Sequence, residues 1–390
     1  MLTLWLLAGS LLAGPPAVPQ AGIQTQTDPV RQALAEAADL VAAGDTSGAI
    51  GRLELAVESR PDEFQLLAEL AWLYGFQASY VPEDFRERKA AEDYALRAWK
   101  LEPGHPSALG ALALVRLKQL GPQNSGQLLD RALASPRFAD LPADRRADVY
   151  YVQGLRYARE ARDFEGLVRR PEKLPVATPT CSAFGLFCRN FSHPAAFNEM
   201  LERAGSLDFL AADERHQALE AFRTAVRLDP PHIEALSELL LILADDGAWG
   251  EYLQYARRGV EANPEAPRTH LLLGLGLHRS GHTEAAAESF ERGLALLSPE
   301  LRDAYGSPLS LLSVEDSARL WSRPGSEDAQ NFRAIWAKLD PLYLTGANER
   351  WVEHLARVTH ADLKFGEQGG EIRGSETDPG RIYVRYGPPR

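Results

Sequence analysis

ALEAFRTAVRLDP, residues 218–230, and AAESFERGLALLSP, residues 286–299, decide how the rest of the chain is read. In each, a small residue is followed four positions on by a phenylalanine, three further on by another small residue, and then by a proline: Ala218/Phe222/Ala225/Pro230 and Ala286/Phe290/Gly293/Pro299. Offsets of four and three put these side chains on one helix face, and the proline ends the helix. Ala49/Leu53/Ala56/Pro61 and Ala91/Ala95/Ala98/Pro103 repeat the pattern. Pro230 and Pro264 lie 34 residues apart, whereas Pro61 and Pro103 lie 42 apart, the same period with an eight-residue insertion. Such a unit is a helix pair that cannot bury its apolar face alone, so neighbours stack into a solenoid with a concave side. The expected fold class is all-α, a solenoid of five to six helix-turn-helix units.

From these anchors the organisation extends in both directions. Asp28 and Pro29 read as the cap and first turn of the first helix, and Gly44-Asp45 as the turn into its partner. A first block of repeats is expected over 28–161, with Gly154 allowing a partner helix to come close in the last of them. Residues 162–212, with Pro171, Pro175, Pro179 and both cysteines, read as an irregular insertion. Regular repeats return over 213–299, a linker follows over 300–331, and a C-terminal unit occupies 332–390. In that unit RIYVRY, residues 381–386, alternates in the manner of a strand, which predicts a short α+β appendage.

The repeats resemble the tetratricopeptide family over roughly 30–300, most specifically in the units ending at Pro230, Pro264 and Pro299. The C-terminal stretch Gly374-Ser375-Glu376-Thr377-Asp378-Pro379-Gly380-Arg381-Ile382-Tyr383-Val384-Arg385-Tyr386-Gly387-Pro388-Pro389 resembles the GWxTD domain, with Trp336, Asp340-Pro341 and Asn348-Glu349 as its lead-in. Gly374, Thr377, Asp378, Gly380, Arg381, Tyr383, Gly387 and Pro388 match that pattern. Ser375 stands where the hallmark Trp belongs, Pro379 replaces the first Arg, and one residue follows Pro389 where the family continues. A partial or degenerate domain is therefore expected. The resemblance implies a bacterial, often exported repeat protein and names no reaction.

A net charge of −12 across 390 residues excludes the basic stripe that a nucleic-acid binder uses to displace counterions, and gives no basis for adsorption to anionic lipid. No charged side chain precedes Asp28, and Leu2–Ala13 is apolar but too short to span a bilayer. Residues 1–22 are thus expected to be a signal peptide of an exported protein, periplasmic or secreted, the alternative being an uncleaved membrane anchor. Cys181 and Cys188 lie too far apart for a disulfide on a continuous helix, so a bridge needs a loop there; two buried thiols among Phe184, Phe187 and Phe191 are the other reading. No second ligand pair accompanies them, and no metal is expected.

Catalytic motifs are missing: no phosphate loop, no zinc-protease helix motif, no nucleophile elbow, and no cofactor fingerprint. His278 and His282 flank Ser280-Gly281 and read as solvated turn histidines; His354 and His360 fall on different helix faces. Thr377-Asp378 beside Gly380 reads first as a turn or cap. The clearer functional signal is the concave wall, which the register assigns to Leu34, Ala38 and Val41, to Ala68 and Trp72, to Ser237 and Leu241, and to Leu271 and Leu275. Those residue types favour an apolar or amphipathic protein segment as partner. The expected function is a non-enzymatic interaction scaffold. The alternatives are an enzyme whose active site lies in the C-terminal unit, and a structural component of a cell-envelope assembly. A further expectation to test is that the groove is filled by the protein's own chain.

Overall fold

The computed structural model describes residues 28–78, 85–169, 207–311, 332, 335–341, 346–366 and 373–388. Twelve helices among the described residues form six antiparallel hairpins: α1 (Pro29–Ala42) with α2 (Thr46–Ser59), α3 (Phe64–Gln77) with α4 (Phe85–Leu101), α5 (Pro106–Leu120) with α6 (Gln123–Leu133), α7 (Ala143–Arg169) with α8 (Leu207–Leu228), α9 (Ile233–Asp245) with α10 (Trp249–Ala262), and α11 (Pro267–Arg279) with α12 (Thr283–Leu296). Then come α13 (Pro299–Gly306), a 3-10 turn at Pro308–Leu311, α14 (Glu349–Phe365), a second 3-10 turn at Gly374–Glu376, and α15 (Asp378–Tyr386). Local chemistry sets the boundaries. Asp28 accepts a hydrogen bond from the Val30 N–H at 3.2 Å ahead of Pro29, and Asp45 accepts from Gly48 at 2.8 Å. Gly44, with φ of 83°, makes the tight turn between them.

The quoted pattern works as its spacing implies. Phe222 and Phe290 are fully buried, and a Cβ on Gly154 or Gly274 would lie 2.5 Å or 2.7 Å from the nearest ring atom. Each ring therefore seats directly on the backbone of its partner helix, and each buried phenylalanine contributes about 2–3 kcal/mol. One apolar cluster runs from Ala71 through Tyr151, Phe222 and Phe290 to Leu363, so the two blocks of repeats share a core.

Three expectations are corrected. The irregular insertion expected over 162–212 is helical at both ends: α7 runs to Arg169 and pairs with α8 from Leu207, so residues 162–169 and 207–212 are helical. The two stretches meet around Phe164, Leu207 and Ala211. Cys181 and Cys188, and with them the question of a bridge, lie outside the described residues. The expected linker begins with a helix, α13, capped by the Ser298 hydroxyl. The expected strand at 381–386 is α15, and no strand occurs among the described residues. Thr377 caps its start, Pro379 sits in its first turn, and Gly387, with φ of 79°, ends it. Gly380, Tyr383 and Val384 face inward at helical spacing, whereas Ile382 and Tyr386 face out. Six residues are too few to separate a period of two from 3.6 when the inward pair is adjacent.

Candidate interaction surfaces

First helices form the inner side of the solenoid, and the structure closes much of that side. Trp72 on α3 is fully buried, as are Leu275 and, at 3% exposure, Leu271 on α11. The Trp72 indole N–H donates to the Ser107 hydroxyl at 3.1 Å, and its ring stacks on Phe76 at 5.5 Å. The Arg145 guanidinium lies 4.9 Å above it. Phe76 passes the contact to Tyr151 at 6.0 Å, and Tyr151 to Phe222 at 6.1 Å. This aromatic column joins α3 to α7 and α8, so Trp72 is core rather than groove lining. Of the other expected lining residues, Leu34 and Leu241 are half-buried, Ala38 is exposed and Val41 is 42% exposed. Among the described lining residues the most exposed are Ala38 and Val41, on the face of α1.

Charged groups frame the closed region. Arg145 bridges Glu69 on α3, at 2.6 Å, and Asp148 on α7, at 2.8 Å. His232, ahead of α9, places Nε2 3.4 Å from Asp148 and Nδ1 3.3 Å from Glu234. Burial opposes its charge, but the two carboxylates outweigh burial and raise its pKa to about 10. Farther along the α7/α8 hairpin, Glu160 and Glu214 share a hydrogen bond. Burial, followed by the charge of Glu160, raises Glu214 to about 7, and burial raises Glu160 as well.

Leu271 packs against Gly293 of its own hairpin, and the C-terminal unit packs onto that hairpin from outside. Helix α14 packs on α11 and α12, and its Val352, Leu355, Ala356 and Leu363 join the same buried cluster as Leu271, Leu272 and Leu275. Polar contacts edge this apolar seat. His278 Nε2 lies 2.6 Å from Glu353, Lys364 lies 2.5 Å from Asp245, and Arg279 donates to the Tyr383 hydroxyl at 2.8 Å. Burial works to raise Glu353, yet the hydrogen bonds from His278 and Arg357 prevail and hold it at about 2. His278 is thus a docking residue rather than a solvated turn histidine. His354 is packed between Trp336 and Trp351 and shares a 3.0 Å hydrogen bond with the Tyr305 carbonyl; His360 stacks on Tyr383 at 4.7 Å. Burial lowers each of these two imidazoles to about 4.

The motif residues build the C-terminal cap. A Cβ on Gly374 would lie 2.2 Å from the Ala361 carbonyl oxygen, and one on Gly380 would lie 1.8 Å from that of Gly374, so both positions require glycine. The Thr377 hydroxyl donates to the Gly374 carbonyl at 2.7 Å and accepts from the Gly380 N–H at 3.2 Å. Asp362 on α14 holds the turn by accepting from Arg373 and from the Ser375 N–H, each at 2.7 Å. Asp378, Arg381 and Pro388 are exposed, while Tyr383 and Gly387 are buried. The Thr-Asp pair is accordingly used at a helix start. Sequence reading missed Arg145, Asp148, His232, Arg279 and Glu353 as organising groups: their partners stand up to 104 residues away, and no local spacing reveals them.

Among the described residues no group of three or more His, Cys, Asp or Glu is placed to hold a metal ion, and no helix is long and apolar enough to cross a membrane. The chain matches no protein-family model and no curated protein. Among solved structures it is similar to YrrB, "a TPR protein with an unusual peptide-binding site", at 14% identity over 65% of this chain and 96% of that one, with a TM-score of 0.33. Two structures of MamA align at 15% identity over 61% of this chain and 94% of theirs, TM-score 0.32, and at 13% over 69% and 96%, TM-score 0.24. Likenesses this distant carry no weight for the site or its partner.

Proposed function

We propose that this protein is a non-enzymatic protein–protein interaction scaffold, exported from a bacterial cell, in which a degenerate GWxTD-like unit caps one end of a tetratricopeptide-like solenoid. One observation carries the reading. Six stacked hairpins form a frame built on a shared apolar core, and the Thr377-Asp378 pair is engaged in starting α15. Such a frame presents surface, and the exposed inner face of α1 is the part of the expected groove still free to receive an apolar or amphipathic segment. The test is affinity co-purification from the native host with wild type and with Ala38→Glu plus Val41→Glu, both exposed positions that leave the core intact. A partner recovered by wild type and lost by the variant supports the reading; equal recovery refutes the α1 face. Export is checked separately by the mature N-terminus: a start near residue 22 is expected, and an intact Met1 on a cytosolic protein refutes it.

A further inference from the structure

Single exposed apolar side chains occur on several helices, Leu55 and Phe209 among them, but the outward face of α15 carries two on one stripe. Ile382 is 61% exposed and Tyr386 71%, four residues apart and hence neighbours on one stripe. Arg381 and Arg385, also exposed, form the adjacent stripe along one side of them. A surface helix ordinarily turns polar residues outward, and tyrosine beside arginine is the pairing most enriched where binding energy concentrates. The helix is held from behind by the Thr377 cap, by Tyr383 between His360 and Arg279, and by Arg357, which donates to the carbonyls of Val384 and Arg385 at 3.3 Å each. A partner would not have to order it, which removes part of the usual cost of association.

Charge indicates the occupant. Arg357 and Arg373, in the same cap, each grip a carboxylate. Arg381 and Arg385 grip none among the described residues, Arg385 lying only over the Tyr386 ring at 5.7 Å, although the chain carries 54 acidic against 42 basic side chains. Two guanidiniums four residues apart, unpaired among the described residues and with the apolar pair on the adjacent stripe, match a helix that offers carboxylates at i and i+4 beside an apolar stripe. Arg–carboxylate bonds would fix the register, and Ile382 and Tyr386 would lose water. We propose that the Arg381/Ile382/Arg385/Tyr386 face of α15 is a docking surface for an acidic amphipathic helix of a partner protein. This deepens the scaffold reading and rests on it, while placing the contact at the opposite end from α1.

The test is fluorescence anisotropy with the full-length protein and a labelled Glu/Leu amphipathic peptide, together with versions carrying Gln or Lys in place of Glu. The acidic peptide is expected to bind wild type at least about tenfold more tightly than the Gln version. The variant I382S/Y386S should lose at least about tenfold, and R381E/R385E should lose the acidic peptide and gain the Lys version. All four side chains are exposed, so circular dichroism melts should be unchanged. Equal affinity for wild type and variants, or no binding by wild type, overturns the proposal. So does recruitment to phosphatidylglycerol vesicles, or self-association in sedimentation, that the same variants abolish. Ala38→Glu plus Val41→Glu should not alter the peptide's affinity, so a failure at α15 is distinguishable from a failure at α1.

Discussion

Mild acid should loosen the C-terminal cap while leaving the repeats folded. His354 and His360 are 3% and 6% exposed, and burial depresses both to about 4. Arg357 and Arg373 near the first, and Arg279 and Lys364 near the second, reinforce the neutral form; the Tyr305 carbonyl and Asp245 oppose it. The unfolded chain takes up protons on these rings near pH 6.5, so between pH 6.5 and 4 the unfolded state binds more protons than the native one and stability falls as pH falls. Their neutral-pH stability is complete above 6.5. At 1.36 kcal/mol per unit, each ring costs about 2 kcal/mol by pH 5 and about 3 kcal/mol by pH 4. Glu353, held near 2, begins to withdraw its contribution only below its unfolded value of 4.5, so it adds to the loss at the acid end of the window. Glu214, raised to about 7, acts with opposite sign: between pH 7 and 4.5 the native state holds the extra proton, and the α7/α8 hairpin gains. The assay is hydrogen exchange read by peptide, corrected for intrinsic rate, at pH 7 and pH 5. Protection in α14 and α15 should drop by about 2–4 kcal/mol while α7 and α8 do not weaken. Replacing His360 with Phe, which preserves the stack on Tyr383, should remove about half the drop. Equal pH response in α14 and α7, or no change in α14, would refute the reasoning.

Gly154→Ala places a methyl 2.5 Å from the Phe222 ring and should destabilise by about 1–3 kcal/mol, seen as a lower urea midpoint; an unchanged midpoint would mean that the seat is loose. Trp72→Ala empties the aromatic column and should cost about 3–5 kcal/mol in the same assay, a loss that a groove residue would not show. Gly374→Ala drives a methyl into the Ala361 carbonyl and should release α15, read as rapid proteolysis after Arg373 or Arg381 with α1–α6 still resistant; resistance throughout would contradict the close packing. Raising the pH toward 10 should withdraw the stabilisation from His232, which is complete below 6.5 and lost progressively between 6.5 and about 10, and should weaken exchange protection at the start of α9 first.

The repeats were legible because their signal is local. Ala218, Phe222, Ala225 and Pro230 state within a few turns which face is buried and where the helix stops. The α7/α8 pairing was not, since its two helices are separated by the whole of 170–206 and the expected period fails across that stretch. RIYVRY misled for a different reason. Its alternation holds over six residues, whereas the groups that make it a helix, Thr377 and Gly387, stand just outside it. The motif residues matching the GWxTD pattern were found by spacing, but their role emerges only in three dimensions, where Gly374, Thr377 and Gly380 bring the turn against α14.

Register identifies the side chains that point toward the inner side of a solenoid, but not whether that side is open. Openness depends on how tightly successive hairpins curl, which is set where small residues let helices approach. Gly110, whose Cβ would lie 2.8 Å from both Trp72 and Val149, lets α5 sit against α3 and α7 so closely that a tryptophan read as groove lining becomes the centre of a core. At the other end α14 supplies the apolar surface that a further repeat would have given, and the terminal hairpin α11/α12 is capped by it. Among the described residues much of the inner side is packed, and the exposed positions left for the two proposed contacts are the face of α1 and the arginine- and tyrosine-bearing face of α15.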